Sequence, residues 1–196
     1  LIKTPDLAHA IVRAARQGLE DWAGGQSIHS QGFKPSRIEF IHTLNHSRSG
    51  VPVVPRRLLP LSIKTRLGFD CVVVERWVEH LLEARPAAIT LHGRTLQQMY
   101  RGAADWSAIA EAAKLAHGTG TLMLGNGDLN TLVDAIRRAA ESKVQGVLVG
   151  RGTLGSPWFF REKEQARRAF SERDDLPTLP AAAWEPQVSV SHRMQV

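Results

Sequence analysis

The chain has 196 residues, with 25 lysines and arginines against 19 acids, 43% hydrophobic residues and a single cysteine. That balance excludes a disulfide scaffold, a multi-cysteine zinc or iron–sulfur centre and wholesale disorder, and one thiol suits a reducing, cytoplasmic setting. Apolar runs are only a few residues long, against the roughly 20 of a membrane helix, so no membrane partner is expected.

The net charge of +6 favours a polyanionic partner such as nucleic acid, although many plain soluble proteins share it. The first residue is Leu1, no signal-peptide pattern follows it, and a helix begins almost at once, so the chain reads as a piece of something longer.

Thr4-Pro5-Asp6 combines a capping hydroxyl, a proline suited to the first helical position and an acid in the first turn. With Leu7, Ile11, Ala14 and Ala15 at helical spacing, it predicts a helix to about Leu19 or Trp22, ending near Gly24-Gly25. Residues 1–23 form this unit. Glycines and prolines then break every period, and residues 24–60 read as a basic irregular insertion with at most short strands near Ile38–Ile41 and Val51–Val54. Residues 21–60 hold five lysines and arginines against two acids, half of the chain's positive excess.

A regular alternation occupies residues 61–171. Leu61–Arg66 reads as a strand, and Val73–Ala84 as a helix with Val74, Trp77, Val78, Leu81 and Leu82 inward. Ala88–His92 is a second strand, and Asp105 caps a helix running to about Ala116. Thr121–Leu124 and Gly146–Val149 are further strands, separated by a helix over Thr131–Glu141, and Pro157 opens a last helix. Strands that are short apolar runs, alternating with helices, indicate a parallel sheet covered by helices. Residues 172–196 are a linker and the start of an extension with little pattern.

Each strand ends in a polar or glycine group: Lys64 and Arg66; His92-Gly93-Arg94; Gly125-Asn126-Gly127-Asp128; Gly150-Arg151-Gly152. The C-terminal strand ends form the ligand face of parallel α/β folds. Taken singly, Lys64 could be a solvated cation, His92 a satisfied core histidine and Gly125–Asp128 a turn. Four in succession point to a site. Gly150-Arg151-Gly152-Thr153-Leu154-Gly155 formally matches a dinucleotide fingerprint. The βα units lie upstream of it, however, and a charged helix follows where a Rossmann fold needs a second strand. The glycines keep one use, binding a phosphate at a helix N-terminus.

Ile63-Lys64-Thr65-Arg66-Leu67-Gly68 resembles the V-K-x-R-L-G strand of the tRNA-dihydrouridine synthases. His92-Gly93-Arg94-Thr95 with Gln98, Tyr100, Gly102 and Ala104-Asp105-Trp106 is similar to that family's next motif. Gly125–Asp128 and Gly150–Trp158 follow in the same order. The resemblance implies an α/β (β/α)8 (TIM) barrel, seen here as strands five to eight and the start of a C-terminal helical extension. The implied activity is FMN-dependent reduction of uridine in tRNA with NADPH as reductant, by an enzyme that is monomeric at full length and holds no metal.

Carried over by motif, Lys64 and His92 would contact the flavin ring. Asn126, Gly127, Asp128, Gly150 and Arg151 would hold its phosphate, and Arg66, Arg94, Gln98 and Tyr100 would face the tRNA. The family's proton-donating cysteine has no counterpart here. Cys71 follows Leu67-Gly68-Phe69-Asp70, does not match that motif and reads as structural, so the chain alone is expected to be inactive and, as half a barrel, to self-associate or bind flavin poorly. Another FMN- or phosphate-binding barrel oxidoreductase, or a non-catalytic remnant, stays open.

Overall fold

A computed structural model describes residues 1–47, 56–154 and Phe159. Four strands, β1 (Ser62–Arg66), β2 (Ala88–His92), β3 (Leu122–Asn126) and β4 (Gly146–Leu148), form one sheet in sequential order, every neighbouring pair parallel. Three helices connect them: α3 (Val74–Glu83), α4 (Trp106–Ala116) and α5 (Leu132–Ser142). Two further helices, α1 (Pro5–Ala23) and α2 (Pro35–Ser47), precede the sheet. This is a partial (β/α)8 barrel, and none of its described helices is long and apolar enough to cross a membrane.

Alternation along the strands divides the sheet into two chemically distinct faces. Ile89, Leu91 and Met123 are fully buried and pack with Trp77, Val78 and Leu81 of α3 and with Ile109 and Ala112 of α4. On the opposite face, register aligns Lys64, Thr90, Leu124 and Gly146 in one row, with Arg66, His92, Asn126 and Leu148 in the row above. The upper row lies at the C-terminal ends of the strands, so the polar side chains there are stacked side by side by strand pairing alone.

The sequence signals for α4 act as expected. Asp105 is its N-cap, and the carboxylate accepts a hydrogen bond from the Ala108 amide at 2.9 Å. Replacing Asp105 with alanine is expected to cost about 1 kcal/mol, seen as a lower urea midpoint with an unchanged slope. An unaltered midpoint would show that the cap contributes nothing. Thr131 caps α5 in the same way, through the Asp134 amide at 3.0 Å.

Three expectations need correction. Thr4 stands at the N-cap of α1, yet its hydroxyl makes no cap hydrogen bond, so Pro5 at the first position carries that helix start. Residues 35–47 are helical, not irregular, and no strand exists near Ile38–Ile41. Pro35 supplies the start, and Ile38, Phe40, Ile41 and Leu44 fall on one side of the helix, but Arg37 and Asn45 interrupt that side and none of the four is buried. A short 3₁₀ turn, Ile28–Gln31, also falls in this stretch. The expected strand at Val51–Val54, the helix at Pro157 and the tail lie outside the described residues.

The connection is clasped at its base. The Arg56 guanidinium donates to the carbonyls of Gln26 at 3.2 Å and Trp22 at 3.4 Å, and lies over the Trp22 ring.

Candidate functional site

The polar strand ends converge on one cleft of about 230 Å³. Lys64 and Arg66 reach it from β1, His92 from β2 and Asn126 from β3, while Tyr100, Gly127, Asp128, Gly150 and Arg151 come from the loops that follow the strands. Nine of the eleven residues singled out in the sequence therefore line a single space. Arg94 and Gln98 do not.

Several neighbours fix the floor of the cleft. The Asn126 amide donates to the Leu148 carbonyl at 2.8 Å, which turns its oxygen toward the Lys64 ammonium at 3.5 Å. Gly127 adopts φ +133°, and its carbonyl accepts the Trp106 indole N–H at 3.1 Å. A Cβ added there would lie 2.6 Å from the Ala104 Cβ and 3.3 Å from the His92 ring.

Arg66 donates to the Thr95 carbonyl at 2.9 Å, tying the first strand end to the loop after β2. Gln98 is spent on that same loop, accepting from the Thr95 amide at 3.2 Å and donating to the Ala103 carbonyl at 3.3 Å. Arg94 is 2% exposed, and its guanidinium meets the Asp128 carboxylate at 2.7 and 2.8 Å. The expectation that Arg94 faces RNA is thus corrected: its charge is buried in an ion pair. Asp128 is likewise committed, since its oxygens also accept from the Ala104 amide at 2.7 Å and from Arg151 at 3.2 Å.

Lys64, Arg66 and Arg151 oppose a single lining acid, so the cleft is cationic. Burial, aided by neighbouring Arg66, lowers the Lys64 pKa. Burial also pushes His92 down to about 4, with the charges of Arg66, Lys64 and Arg94 reinforcing it against a weaker pull from Asp128. His92 is therefore a neutral imidazole near pH 7. For Asp128, burial works to raise the pKa, but the Arg94 hydrogen bond, the Ala104 amide and the charges of Arg94 and Arg151 together hold it below the usual carboxylate range.

The His92 shift has a measurable consequence. Between pH 6.5 and about 4 the unfolded chain takes up a proton at this position that the folded chain refuses, so stability falls as pH drops through that window. The loss is about 1–2 kcal/mol once screening at the open cleft is allowed for. His92→Gln is expected to flatten that part of a urea-midpoint-against-pH curve, and parallel curves for the two proteins would refute the assignment. Asp128 acts in a separate window, its stabilisation persisting above the unfolded carboxylate pKa and disappearing as pH falls through its lowered folded value.

A cationic cleft with a neutral imidazole, a fixed amide and two glycines among its lining residues fits a ligand that combines a phosphate with the polar edge of a flat heterocycle. FMN has that composition. Cys71 is exposed and is not among the lining residues.

Sequence reading missed Leu129 and Asn130, which also line the cleft. It also missed a cluster between α1 and α3, where the His9 and His80 rings stack at 3.9 Å beside Glu83. His9 Nε2 contacts the His80 carbonyl at 2.5 Å and must carry a hydrogen to do so, which makes this a packing contact across 71 residues of chain.

The family model for dihydrouridine synthase (Dus) matches residues 46–192. A probable tRNA-dihydrouridine synthase of Aquifex aeolicus is 40% identical over 109 residues, covering 56% of this chain and 34% of that protein. One from Rhodobacter capsulatus is 38% identical over 128 residues, covering 64% and 37% respectively. A tRNA-dihydrouridine(47) synthase NAD(P)(+)-like protein of Xenopus tropicalis is 33% identical over 123 residues, 60% of this chain and 19% of its own length. The chain thus spans between 19% and 37% of the length of these relatives.

Proposed function

The chain belongs to the dihydrouridine synthase family, and from that premise we propose that its strand-end cleft is the flavin-holding part of an enzyme that reduces uridine to 5,6-dihydrouridine in tRNA, with FMN bound and NADPH as reductant. The observation that carries this reading is the cleft itself, to which four consecutive parallel strands each deliver a residue of the motif series.

A flavin bound there supplies the hydride that reduces the C5–C6 double bond. Lys64 would hold a flavin ring here by its positive charge and favour its reduction, and the neutral imidazole of His92 would offer a hydrogen bond without adding positive charge. Asn126, held by the Leu148 carbonyl, presents a fixed amide edge. Gly127, Gly150 and Arg151 take the phosphate. The Asp128 carboxylate, already shared among three donors, does not.

Tyr100 is 64% exposed at the rim, where a ring can stack on an unstacked uracil, and Arg66 and Gln98 hold the loop that carries it. Cys71 does not line the cleft and is not the proton donor, so the chain as given would not complete the reduction alone.

Titrating the protein into FMN and following flavin fluorescence tests the cofactor: because only part of the barrel wall is present, weak but saturable quenching is expected, and Lys64→Met weakens it further. A chain that binds no flavin sinks the reading. Expressing the gene in a strain that lacks its own synthases, then measuring dihydrouridine in tRNA by mass spectrometry, tests the inactivity of the chain on its own: no dihydrouridine is expected, and its appearance would overturn the inactivity while supporting uridine in tRNA as the substrate.

A further inference from the structure

We propose that Asp128 is a positioning residue, which sets the Arg151 guanidinium at the cleft rim without itself touching cofactor or uridine. The inference rests on reading the cleft as a flavin phosphate site. Asp128 has φ +50°, a conformation that only a few non-glycine residues accept readily. What the side chain does there accounts for its presence. One oxygen, Oδ2, accepts from the Ala104 amide and from Arg94, both at 2.7 Å; the other, Oδ1, accepts from Arg94 at 2.8 Å and from Arg151 at 3.2 Å. A carboxylate engaged in this way has little capacity left for a ligand, and its charge repels a phosphate.

Its two arginines play unequal parts. Arg94 is buried, and its Nε and Nη1 have no hydrogen-bond partner, so it acts as an internal counter-ion with no access to solvent. The Arg151 side chain is 58% exposed, yet it is held from two sides, by Asp128 and by the face of Tyr100, whose ring centre lies 4.9 Å from the guanidinium carbon. The loops after β2, β3 and β4 thus meet at one carboxylate. The remaining donors of Arg151 are displayed on a guanidinium whose plane is already chosen, which lowers the ordering cost of binding an anion.

The test compares Arg94→Met with Arg94→Met/Asp128→Asn, in which both members of the buried pair are neutral and no charge is left uncompensated. Phenylglyoxal labelling of arginines, read residue by residue by peptide mass spectrometry with exposed Arg13 as internal reference, reports how firmly Arg151 is held. Labelling of Arg151 is expected to rise severalfold when Asp128→Asn is added, and also in Tyr100→Ala alone. Unchanged Arg151 labelling overturns the proposal.

The second readout is the ratio of FMN to riboflavin affinity. It is expected to fall about tenfold with Asp128→Asn, because loss of the held Arg151 outweighs the relief of carboxylate–phosphate repulsion, and to fall no further when Arg151→Gln is already present. Equal losses for both flavins, or losses that add, would make Asp128 merely structural and overturn its positioning role. A protein that binds neither flavin while Arg151 labelling responds as expected removes the flavin reading and leaves the positioning role standing.

Discussion

Trp106→Ala is expected to lower the stability of the chain by about 3–5 kcal/mol. The side chain is 6% exposed at the start of α4, and its ring lies so close beneath β3 that a Cβ on Gly125 would come within 2.5 Å of it. The Arg138 guanidinium of α5 lies 5.8 Å from the ring, and the indole N–H holds the Gly127 carbonyl. One residue therefore fills the layer between sheet and helices and also pins the cleft floor. Urea unfolding measures the first effect and FMN titration the second. Trp106→Phe separates them: most of the packing survives, while loss of the hydrogen bond costs about 1 kcal/mol and loosens Gly127. A Trp106→Ala protein within about 1 kcal/mol of wild type would mean the layer repacks freely, against the argument.

Gly127→Ala is the second large effect, expected at about 2–5 kcal/mol from two additive sources. The backbone at φ +133° is nearly closed to residues with a Cβ, and the new methyl would meet Ala104 at 2.6 Å. Gly118 provides the control. It also has positive φ, +76°, but a Cβ there meets nothing within 4 Å, so Gly118→Ala should show only the conformational cost of about 1 kcal/mol. If the two substitutions cost the same, the close approach of Ala104 contributes nothing. Because His92 lies on the other side of the same position, Gly127→Ala is also expected to abolish flavin binding in whatever fraction remains folded.

What could be read in advance follows from how local each determinant is. β2 and α4 were legible almost to the residue, because an apolar run and an N-cap aspartate are signals carried within a few positions. β3 runs on to Asn126, two residues past its apolar run, because the parallel register pairs Leu91 with Gly125 and His92 with Asn126 irrespective of polarity. α2 escaped because its apolar side is short and interrupted by Arg37 and Asn45, between glycines and prolines that read as breakers.

The membership of the site was legible from motif order, yet the division of labour within it was not. Arg94 reads as a rim cation in a motif, and only the fold reveals that it is buried against an acid 34 positions later. Asp128 reads as part of a phosphate loop, and only the hydrogen bonds reveal that its carboxylate is fully engaged. Long-range pairing of this kind leaves no mark on spacing.

The Arg56 clasp has an architectural consequence. Because its guanidinium bridges back to the carbonyls of Trp22 and Gln26, the chain leaves the barrel and returns to it at nearly the same point. The entropy of closing a loop grows only logarithmically with length, so each doubling of the excursion adds about 0.6 kcal/mol. Among the described residues of this excursion none is buried. Gln26 and Arg56 are in effect the two posts of a docking port, at which a short turn, the present helix or a whole passenger domain could be grafted while the cleft keeps its shape.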